Sequence, residues 1–311
     1  MENILSKINS STKYVSENSR YVKINYERLN KIIDKLDISK IKYWLDSNPY
    51  GLLDLSCEEI IDFLLIYHTI GDYCFWGDPK WKIKTQDGKI IDGSYAMLYL
   101  LMTRYKEEKS FDMSKEEFKE FLKGNVQIPL LEDRYQNLVI MNNFLRERKM
   151  SFYELIKNFY KDEELIDFII SNFSYFKDES EYKGRTIYFY KRAQLLASDI
   201  LHVRKILEHV KVDFSHLPGC ADYKIPQVMR CMGILEFSDE LANLVDNKIE
   251  LKEGSEMEVE IRANDLVVLD YMAEKLNERI SRMDLNDYIW LLGQDKSKMT
   301  KPYHRTLTKH Y

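Results

Sequence analysis

Glycine and proline are scarce in this 311-residue sequence, and their scarcity limits the folds available to it. The chain contains 11 glycines and 6 prolines, whereas average usage would give roughly 37 of the two together. Because these residues supply most tight turns, a chain with few of them has few turns and long elements. We therefore expect a mainly α-helical protein, and no repeat, low-complexity linker or shift in composition divides it into several domains.

The overall composition predicts a packed globular protein and excludes several classes. Hydrophobic residues make up 45% of the chain and charged residues 31%, so a large core is available and disorder is not expected. The net charge of −5 argues against a protein that binds duplex nucleic acid through its phosphate backbone. No apolar run approaches the ~18 residues of a membrane span, and we expect no membrane association.

The N-terminal residues and the cysteines indicate the cellular compartment of the protein. Residues 1–7 are charged and lack the apolar segment of a secretory signal. The four cysteines, at 57, 74, 220 and 231, form no closely spaced pair, so we expect reduced thiols in a cytoplasmic protein. There is no metal-binding motif, phosphate-cradling glycine loop or nucleophile elbow, and we expect neither a metal nor a cofactor.

The spacing of apolar residues predicts the principal helices. Residues 1–20 are polar, and we expect a lead-in that orders only by docking, before a single helical domain over residues 21–311. Ser56 followed by Glu59 is a capping-box pattern for a helix over Glu58–Gly71. The other main predicted helices are Val22–Leu36, Lys115–Lys123, Asp133–Arg148, Ser151–Tyr160, Ile187–Val210, Gln227–Met232, Asp239–Val245 and Glu258–Ile280.

A short β-hairpin is predicted near residues 81–92. Asp87 and Gly88 lie between two stretches in which apolar residues alternate with polar ones. An Asp-Gly pair in this setting is a strong signal for a tight hairpin turn.

Three segments differ in composition from this helical background. Gly71–Trp81 gathers aromatic residues in a loop, which suits either a sandwich around a planar ligand or a hydrophobic plug between helices. Asp222 lies among small and apolar residues between two prolines, where it either caps the helix beginning near Pro226 or occupies a pocket in which burial raises its pKa. Over Arg282–Leu292 acids alternate with aromatics, and Asp284 is the candidate N-cap of a last helix.

The run Gly219–Arg230, with the sequence Gly-Cys-Ala-Asp-Tyr-Lys-Ile-Pro-Gln-Val-Met-Arg, resembles the signature of the queuosine salvage protein family. Segments similar to that family occur in the same order over nearly the whole chain: Ser19–Ile24, Tyr73–Trp76 with Trp81, Lys191–Gln194, Gly254–Ala263 and Pro302–Thr306. The resemblance implies a fold related to helical DNA glycosylases. It also implies hydrolysis of a small-molecule substrate, queuosine 5′-monophosphate and possibly queuosine, which frees queuine for salvage into tRNA.

The resemblance further implies roles for particular residues. Asp222 matches the family's catalytic aspartate. The positions implied to bind the substrate are Cys220 (often Phe in the family), Asp287, Tyr288, Tyr21 (often His in the family), Phe75 and Trp76. The basic positions implied for the 5′-phosphate are Lys191, Arg192, His304 and Arg305.

The implied chemistry suits a fixed aspartate. Cleavage of a ribosyl C1′–N bond passes through an oxocarbenium-like state, so a carboxylate stabilises the developing positive charge or activates water. Because 7-deazaguanine lacks N7, we expect hydrogen bonds to the other edges of the leaving base. Queuine carries a protonated secondary amine, for which we expect a further carboxylate, Asp287 or Asp284. Two alternatives stay open: a non-catalytic helical protein that binds a nucleobase or nucleotide, and a glycosylase of another nucleoside.

Overall fold

Helices dominate the structure, as the scarcity of glycine and proline predicts. The computed structural model describes residues 3–311, and about 57% of the protein is helical. The first seven α-helices are α1 (Ile4–Glu17), α2 (Tyr26–Ile33), α3 (Cys57–Ile70), α4 (Gly93–Lys106), α5 (Lys115–Phe121), α6 (Leu131–Arg148) and α7 (Phe152–Ile156). They are followed by α8 (Asp162–Asn172), α9 (Lys191–Val203), α10 (Lys224–Cys231), α11 (Asp239–Asp246), α12 (Glu256–Lys275) and α13 (Arg282–Leu292).

Six short strands form three antiparallel pairs within the described residues. They are β1 (Val22–Ile24), β2 (Lys82–Lys84), β3 (Ile90–Asp92), β4 (Glu179–Tyr182), β5 (Arg185–Tyr188) and β6 (Leu235–Phe237). Strands β2 and β3 form the predicted hairpin, with Ile83 opposite Ile91, and Gly88 has the positive φ of +85° that its turn requires. The other two pairs, β1 with β6 and β4 with β5, were not predicted.

Two helix predictions are wrong at their N-terminal ends because strand pairing takes those residues. Val22–Ile24 were assigned to a helix but lie in β1, and α2 begins only at Tyr26. Ile187 was assigned to a long helix but lies in β5; α9 starts at Lys191 and passes into a π-helical segment, Arg204–Glu208. Their apolar side chains suit a buried strand as well as a helix, so spacing alone did not separate the two.

The polar N-terminal segment contains a helix that packs against the core. Asn3 caps α1, and Leu5, Ile8 and Val15 on one face of the helix are buried. This face packs against α12, where Ser16 Oγ donates a hydrogen bond of 2.7 Å to Asn264 Oδ1. The first helix therefore belongs to the same hydrophobic core as the rest of the chain.

Helix α12 runs through the centre of this core. Most of its residues are buried on every side, which is expected only of a helix surrounded by other elements. Its buried Glu260 accepts hydrogen bonds from the backbone N–H groups of Arg20, Tyr21 and Val22, at 2.6 to 3.1 Å. The carboxylate thereby fixes the start of β1 against α12.

The predicted caps are correct in one case and wrong in another. Ser56 caps α3 and forms the expected capping box with Glu59. The last helix is capped by Ser281 rather than by Asp284, which lies three residues further along the chain and accepts a hydrogen bond of 2.6 Å from the Ser281 hydroxyl. Among residues 3–311, no helix is long and apolar enough to cross a membrane.

Candidate active site

A cavity lies where α3, α4, α9 and α13 meet the loop before α10. Eight aromatic side chains and the carboxylates of Asp72, Asp199, Asp222 and Asp287 line it. The walls can therefore stack on a planar ring and stabilise positive charge.

The loop that carries Asp222 is held through its backbone. Gly219 N–H donates to Gln194 Oε1 at 3.2 Å, and Cys220 N–H donates to Asn286 Oδ1 at 3.0 Å. Gln194 and Asn286 lie on α9 and α13, two helices that line the cavity. The position of Asp222 is thus set by rigid elements rather than by the loop alone.

Arg262 of α12 holds the same loop from behind. Its Nε donates to the carbonyl of Ala221 at 3.0 Å, and its two terminal nitrogens pair with Asp178 at 3.0 and 2.6 Å. Glu258 lies one turn away, 3.6 Å from the guanidinium, and accepts a hydrogen bond of 2.8 Å from the Tyr311 hydroxyl. Glu258 and Arg262 therefore position the residues of the site but do not line the cavity themselves. Tyr311, the hydrogen-bond partner of Glu258, does line it.

Asp222 caps α10 and faces the cavity at the same time. Its Oδ1 accepts hydrogen bonds from Lys224 N–H at 2.7 Å and Ile225 N–H at 2.9 Å. In residues 3–311 no donor is hydrogen-bonded to the other oxygen, Oδ2. Burial raises the pKa of this carboxyl above its ordinary value, and Lys191 opposes that rise. The two alternatives that the sequence leaves open for Asp222 are compatible in the structure.

Gly219 is required by the geometry of this loop. Its φ is +120°, and a Cβ at this position would lie 2.5 Å from Leu269 Cδ1. We expect Gly219→Ala to lower the free energy of unfolding by at least ~2 kcal/mol and to reduce turnover roughly 100-fold by displacing Asp222. Urea unfolding and steady-state kinetics measure the two effects. Gly184→Ala is the matched control, since Gly184 has a φ of +77° but open space around it; an equal loss of turnover there would contradict the account.

A pair of buried carboxyl groups, Asp199 and Asp287, lies across Trp44. The Trp44 indole N–H donates to Asp199 Oδ1 at 3.0 Å, and the Trp44 backbone N–H donates to Asp287 Oδ2 at 3.3 Å. Burial raises the pKa of Asp287 to about 7, although His202 opposes the rise. Burial, and then the negative charge of Asp287, raise the pKa of Asp199 well above its ordinary value. Burial and the charge repulsion between the two groups therefore favour their protonated forms.

His68 connects this pair to a third carboxylate. Its Nε2 lies 2.8 Å from Asp199 Oδ2, and its Nδ1 is hydrogen-bonded to Asp72 Oδ2. Burial disfavours the charged form of Asp72, but His68 and Lys191 outweigh it and lower the pKa of Asp72 to about 2. The Tyr43 hydroxyl donates to the other oxygen of Asp199. The cavity wall thus contains a hydrogen-bonded chain of acids and an imidazole.

Sequence reasoning predicted Asp287 but missed the rest of this network. A signal was present for two of its members, because His68 and Asp72 are four residues apart and such residues are neighbours on a helix. Asp199 was also detectable as an acid among apolar residues in the middle of the Ile187–Val210 segment. Trp44 lies in a short 3₁₀ segment between α2 and α3, and no pattern in the sequence distinguishes it.

The structure brings together half of the predicted substrate-binding residues. Cys220, Asp287 and Phe75 line the cavity with Asp222. The remaining three, Tyr288, Tyr21 and Trp76, are absent from the lining.

Each of these three has another environment. Tyr288 packs against the hydrophobic core on α13. Tyr21 precedes β1 and lies under the Arg20 guanidinium, 4.8 Å from its ring centroid. Trp76 donates its indole N–H to the carbonyl of Thr306 at 2.8 Å. The predicted contact between these side chains and a ligand stays a prediction, because none of the three lines the cavity.

Of the four predicted phosphate-binding residues, only Lys191 lines the cavity. The buried Arg192 guanidinium donates to backbone carbonyls, including those of Thr69 and Tyr175. His304 is buried, and burial together with Arg262 lowers its pKa to about 3. The Arg305 guanidinium lies over the Trp76 ring, 5.6 Å from its centroid. Arg192 and His304 therefore serve the packing of the core.

The carboxylates of Asp162 and Asp213 and the imidazole of His216 form the group in residues 3–311 whose spacing suits a metal ion. The group lies at the start of α8, and none of its members lines the cavity. Asp162 accepts a hydrogen bond of 3.0 Å from the His216 backbone N–H, and Asp213 accepts one of 2.7 Å from the Ser215 hydroxyl. These bonds close the turn that precedes the Asp222 loop.

Comparison with known proteins covers nearly the whole chain. The queuosine salvage protein family matches residues 53–311. A relative from Sphaerobacter thermophilus is 27% identical, over 97% of this chain and 97% of its own. Relatives from Dictyostelium discoideum and Mus musculus are 28% and 25% identical, over 99% and 97% of this chain and 100% and 97% of their own. All three are named queuosine 5′-phosphate N-glycosylase/hydrolase.

The match includes the Asp222 loop, the Arg262 segment that braces it, and every α-helix that lines the cavity. On this evidence the chain belongs to the queuosine salvage protein family.

Proposed function

We propose that this protein is a queuosine 5′-phosphate N-glycosylase/hydrolase. It adds water across the N-glycosidic bond of queuosine 5′-monophosphate and yields queuine and ribose 5-phosphate. The observation that carries the proposal is Asp222, a buried carboxylate with one free oxygen at the wall of an aromatic cavity. Full-length relatives with this name support the substrate.

Asp222 acts at C1′ of the ribose. As the C1′–N bond breaks, its electron pair leaves with the base, and positive charge develops on C1′ and the ring oxygen. Two backbone N–H groups hold Oδ1 of Asp222, so that the second oxygen is presented to C1′ or to the attacking water without reorganisation. The oxygen of water forms the new bond to C1′, and its proton passes to the carboxylate or the departing base.

The departing base is stabilised by the acidic wall. It has no N7 to accept a proton, so hydrogen bonds must act on its other edges. Burial favours the protonated forms of Asp199 and Asp287, and Asn286 donates an amide N–H to Asp287 at 3.3 Å. These groups can exchange hydrogen bonds with a planar base held by the aromatic walls.

Asp287 gives the reaction a pH dependence. We propose that its ionised form pairs with the protonated secondary amine of the substrate, and burial raises its pKa to about 7. Below that pH Asp287 is protonated and binds the cation poorly, so KM should fall up to about tenfold per unit as pH rises towards 7, then level off. Steady-state kinetics from about pH 5.5 to 8.5 measure this. The Asp287→Asn variant should have a weaker pH dependence, and a KM that rises with pH in the wild type would contradict the assignment.

The helical architecture and the family are consistent with a relation to helical DNA glycosylases, which we include in the proposal. The alternatives are a helical protein that binds a nucleotide without cleaving it, and a glycosylase of another nucleoside. The acidic network around Asp222 favours hydrolysis over simple binding, because buried carboxylates with shifted pKa values concentrate at catalytic sites.

A substrate comparison tests the proposal. Purified protein is incubated separately with queuosine 5′-monophosphate, queuosine, guanosine 5′-monophosphate and inosine 5′-monophosphate, and free bases are quantified by mass spectrometry. We expect queuine from the first, faster than guanine or hypoxanthine from the last two. Faster release of guanine or hypoxanthine would show another nucleotide to be the substrate, and intact nucleotides throughout would favour the binding protein.

A further inference from the structure

One buried carboxyl group on α12 has no part in the contacts described above. Asp265 is fully buried, and neither of its oxygens has a hydrogen-bond partner within residues 3–311. Other acids buried on this helix do have partners, since Glu258 accepts a hydrogen bond from the Tyr311 hydroxyl and Glu260 accepts three from backbone N–H groups. A buried carboxyl group without a partner destabilises the folded state, so packing alone does not account for Asp265.

Asp265 lies on the face of α12 that packs against the loop before α10. Arg262, Asp265 and Leu269 are spaced by three and four residues, which places them on one face of a helix. Arg262 donates a hydrogen bond to the carbonyl of Ala221 at 3.0 Å, and a Cβ at Gly219 would lie 2.5 Å from Leu269 Cδ1. Asp265 comes between these two contacts along the helix and therefore lies behind the loop.

Hydrogen bonds determine which acids beside this loop can be ionised. Asp178 receives both terminal nitrogens of Arg262, at 3.0 and 2.6 Å, and Asp222 Oδ1 receives two backbone N–H groups, at 2.7 and 2.9 Å. These donors stabilise the negative charge of both carboxylates. Asp265 has no such donor. Burial, and then the negative charge of Asp222, raise the pKa of Asp265 well above its ordinary value, against the opposing effect of Arg262.

The other elements that pack against α12 are α1, α10, α13, β1 and β4. Several of their titratable groups interact with another residue: Lys7 of α1, Tyr182 of β4, Lys224 of α10 and Asp287 of α13. The remaining charged residues of α1 and β1 are exposed. Among the described residues, the charges that act on Asp265 are those of Asp222, which opposes its ionisation, and Arg262, which favours it. Asp222 therefore carries the negative charge of this pair, and Asp265 carries the proton.

We propose that Asp265 is a positioning residue for Asp222, which supports the loop as a neutral acid and displaces the loop when it loses its proton to solvent. Two buried carboxylates repel each other, and an unpaired buried charge is relieved by movement of the segment that covers it. A displacement of about 1 Å is enough to reduce turnover roughly 100-fold. The inference rests on the proposed function and deepens it, because it gives the reaction an alkaline limit.

The dependence of kcat on pH tests this role. Steady-state kinetics with queuosine 5′-monophosphate are measured from about pH 6 to 10. We expect kcat of the wild type to fall roughly tenfold or more towards the alkaline end. The Asp265→Asn variant has an uncharged side chain of the same shape, and it should retain there the kcat that it has at neutral pH. The difference should appear in kcat rather than in KM, because Asp265 does not line the cavity.

Unfolding gives a second readout that does not depend on activity. Because the pKa of Asp265 is higher in the folded protein than in the unfolded chain, stability is lost as pH rises above about 4, the ordinary value for aspartate. The unfolding equilibrium constant of the wild type, divided by that of Asp265→Asn, should therefore rise with pH, by up to about tenfold per unit, until Asp265 ionises in the folded protein. Urea unfolding at several pH values measures this ratio.

Asp270→Asn is the matched control on the same helix. The Asp270 side chain is 38% exposed and pairs with Arg282 at 2.6 Å, so this variant should lose kcat at alkaline pH as the wild type does. The inference is wrong if kcat of Asp265→Asn falls as in the wild type, if kcat of the wild type does not fall, or if the unfolding ratio is independent of pH. Absence of queuine with the wild type at every pH would instead overturn the proposed function, so the two failures are distinguishable.

Discussion

Asp222→Asn should reduce kcat for queuosine 5′-monophosphate by roughly 100- to 1,000-fold while leaving the fold intact. The amide oxygen of asparagine still accepts the hydrogen bonds that Asp222 Oδ1 receives from Lys224 and Ile225. The cap of α10 is therefore kept, and only the negative charge at C1′ is removed. Steady-state kinetics and thermal unfolding measure the two properties, and we expect the melting temperature to stay within about 4 °C.

Asp222→Ala separates the cap from the charge. It removes both, so turnover should be lost as in the asparagine variant, with a further loss of about 1 kcal/mol in the free energy of unfolding from the missing cap. An asparagine variant that turns over at the wild-type rate, with an alanine variant that is merely less stable, would show that Asp222 is a structural residue.

Arg262→Met should have the largest effect on stability of any single substitution considered. It leaves Asp178 and Glu258 buried without their common cation, and it removes the hydrogen bond to Ala221. Loss of one partner of a buried ion pair costs about 3–5 kcal/mol. We expect a decrease in melting temperature of roughly 10 °C or more, and reduced turnover in the protein that remains folded.

Arg146→Met provides the matched control. Arg146 pairs with Asp112 at 2.5 Å, but both side chains are about 60% exposed, and exposed pairs contribute at most about 1 kcal/mol. Urea unfolding of the two variants measures the difference directly. Equal losses of stability would mean that the Arg262 network does not brace the Asp222 loop.

Local signals in the sequence predicted much of the fold. The capping box of Ser56 with Glu59 and the turn at Asp87-Gly88 each involve residues that are close in the sequence. The helix cap and the hairpin can therefore be predicted from the local sequence. Strands β1 and β6 pair residues far apart in the sequence, with Val22 opposite Phe237. No local pattern encodes that pairing, which explains why a helix was predicted there.

The candidate site likewise contains residues that the sequence predicted and contacts that it did not. Asp222, Cys220 and Asp287 were predicted through motifs, and the structure places all three in the cavity. The His68–Asp199 contact depends on how α3 packs against α9, which sequence spacing does not reveal.

The predicted phosphate-binding residues show the same limit. Arg192 has the right charge but an environment of backbone carbonyls, because it is buried between elements that need hydrogen-bond donors. Residue type therefore indicated the chemistry, while tertiary packing decided which residues are available for it.

The most direct test of the account measures products over many turnovers. Wild-type protein is mixed with a large molar excess of queuosine 5′-monophosphate, and free queuine and ribose 5-phosphate are quantified over time. We expect equal amounts of both products, each far exceeding the amount of protein. Nucleotide that is bound but recovered intact would contradict it and identify the cavity as a binding site alone.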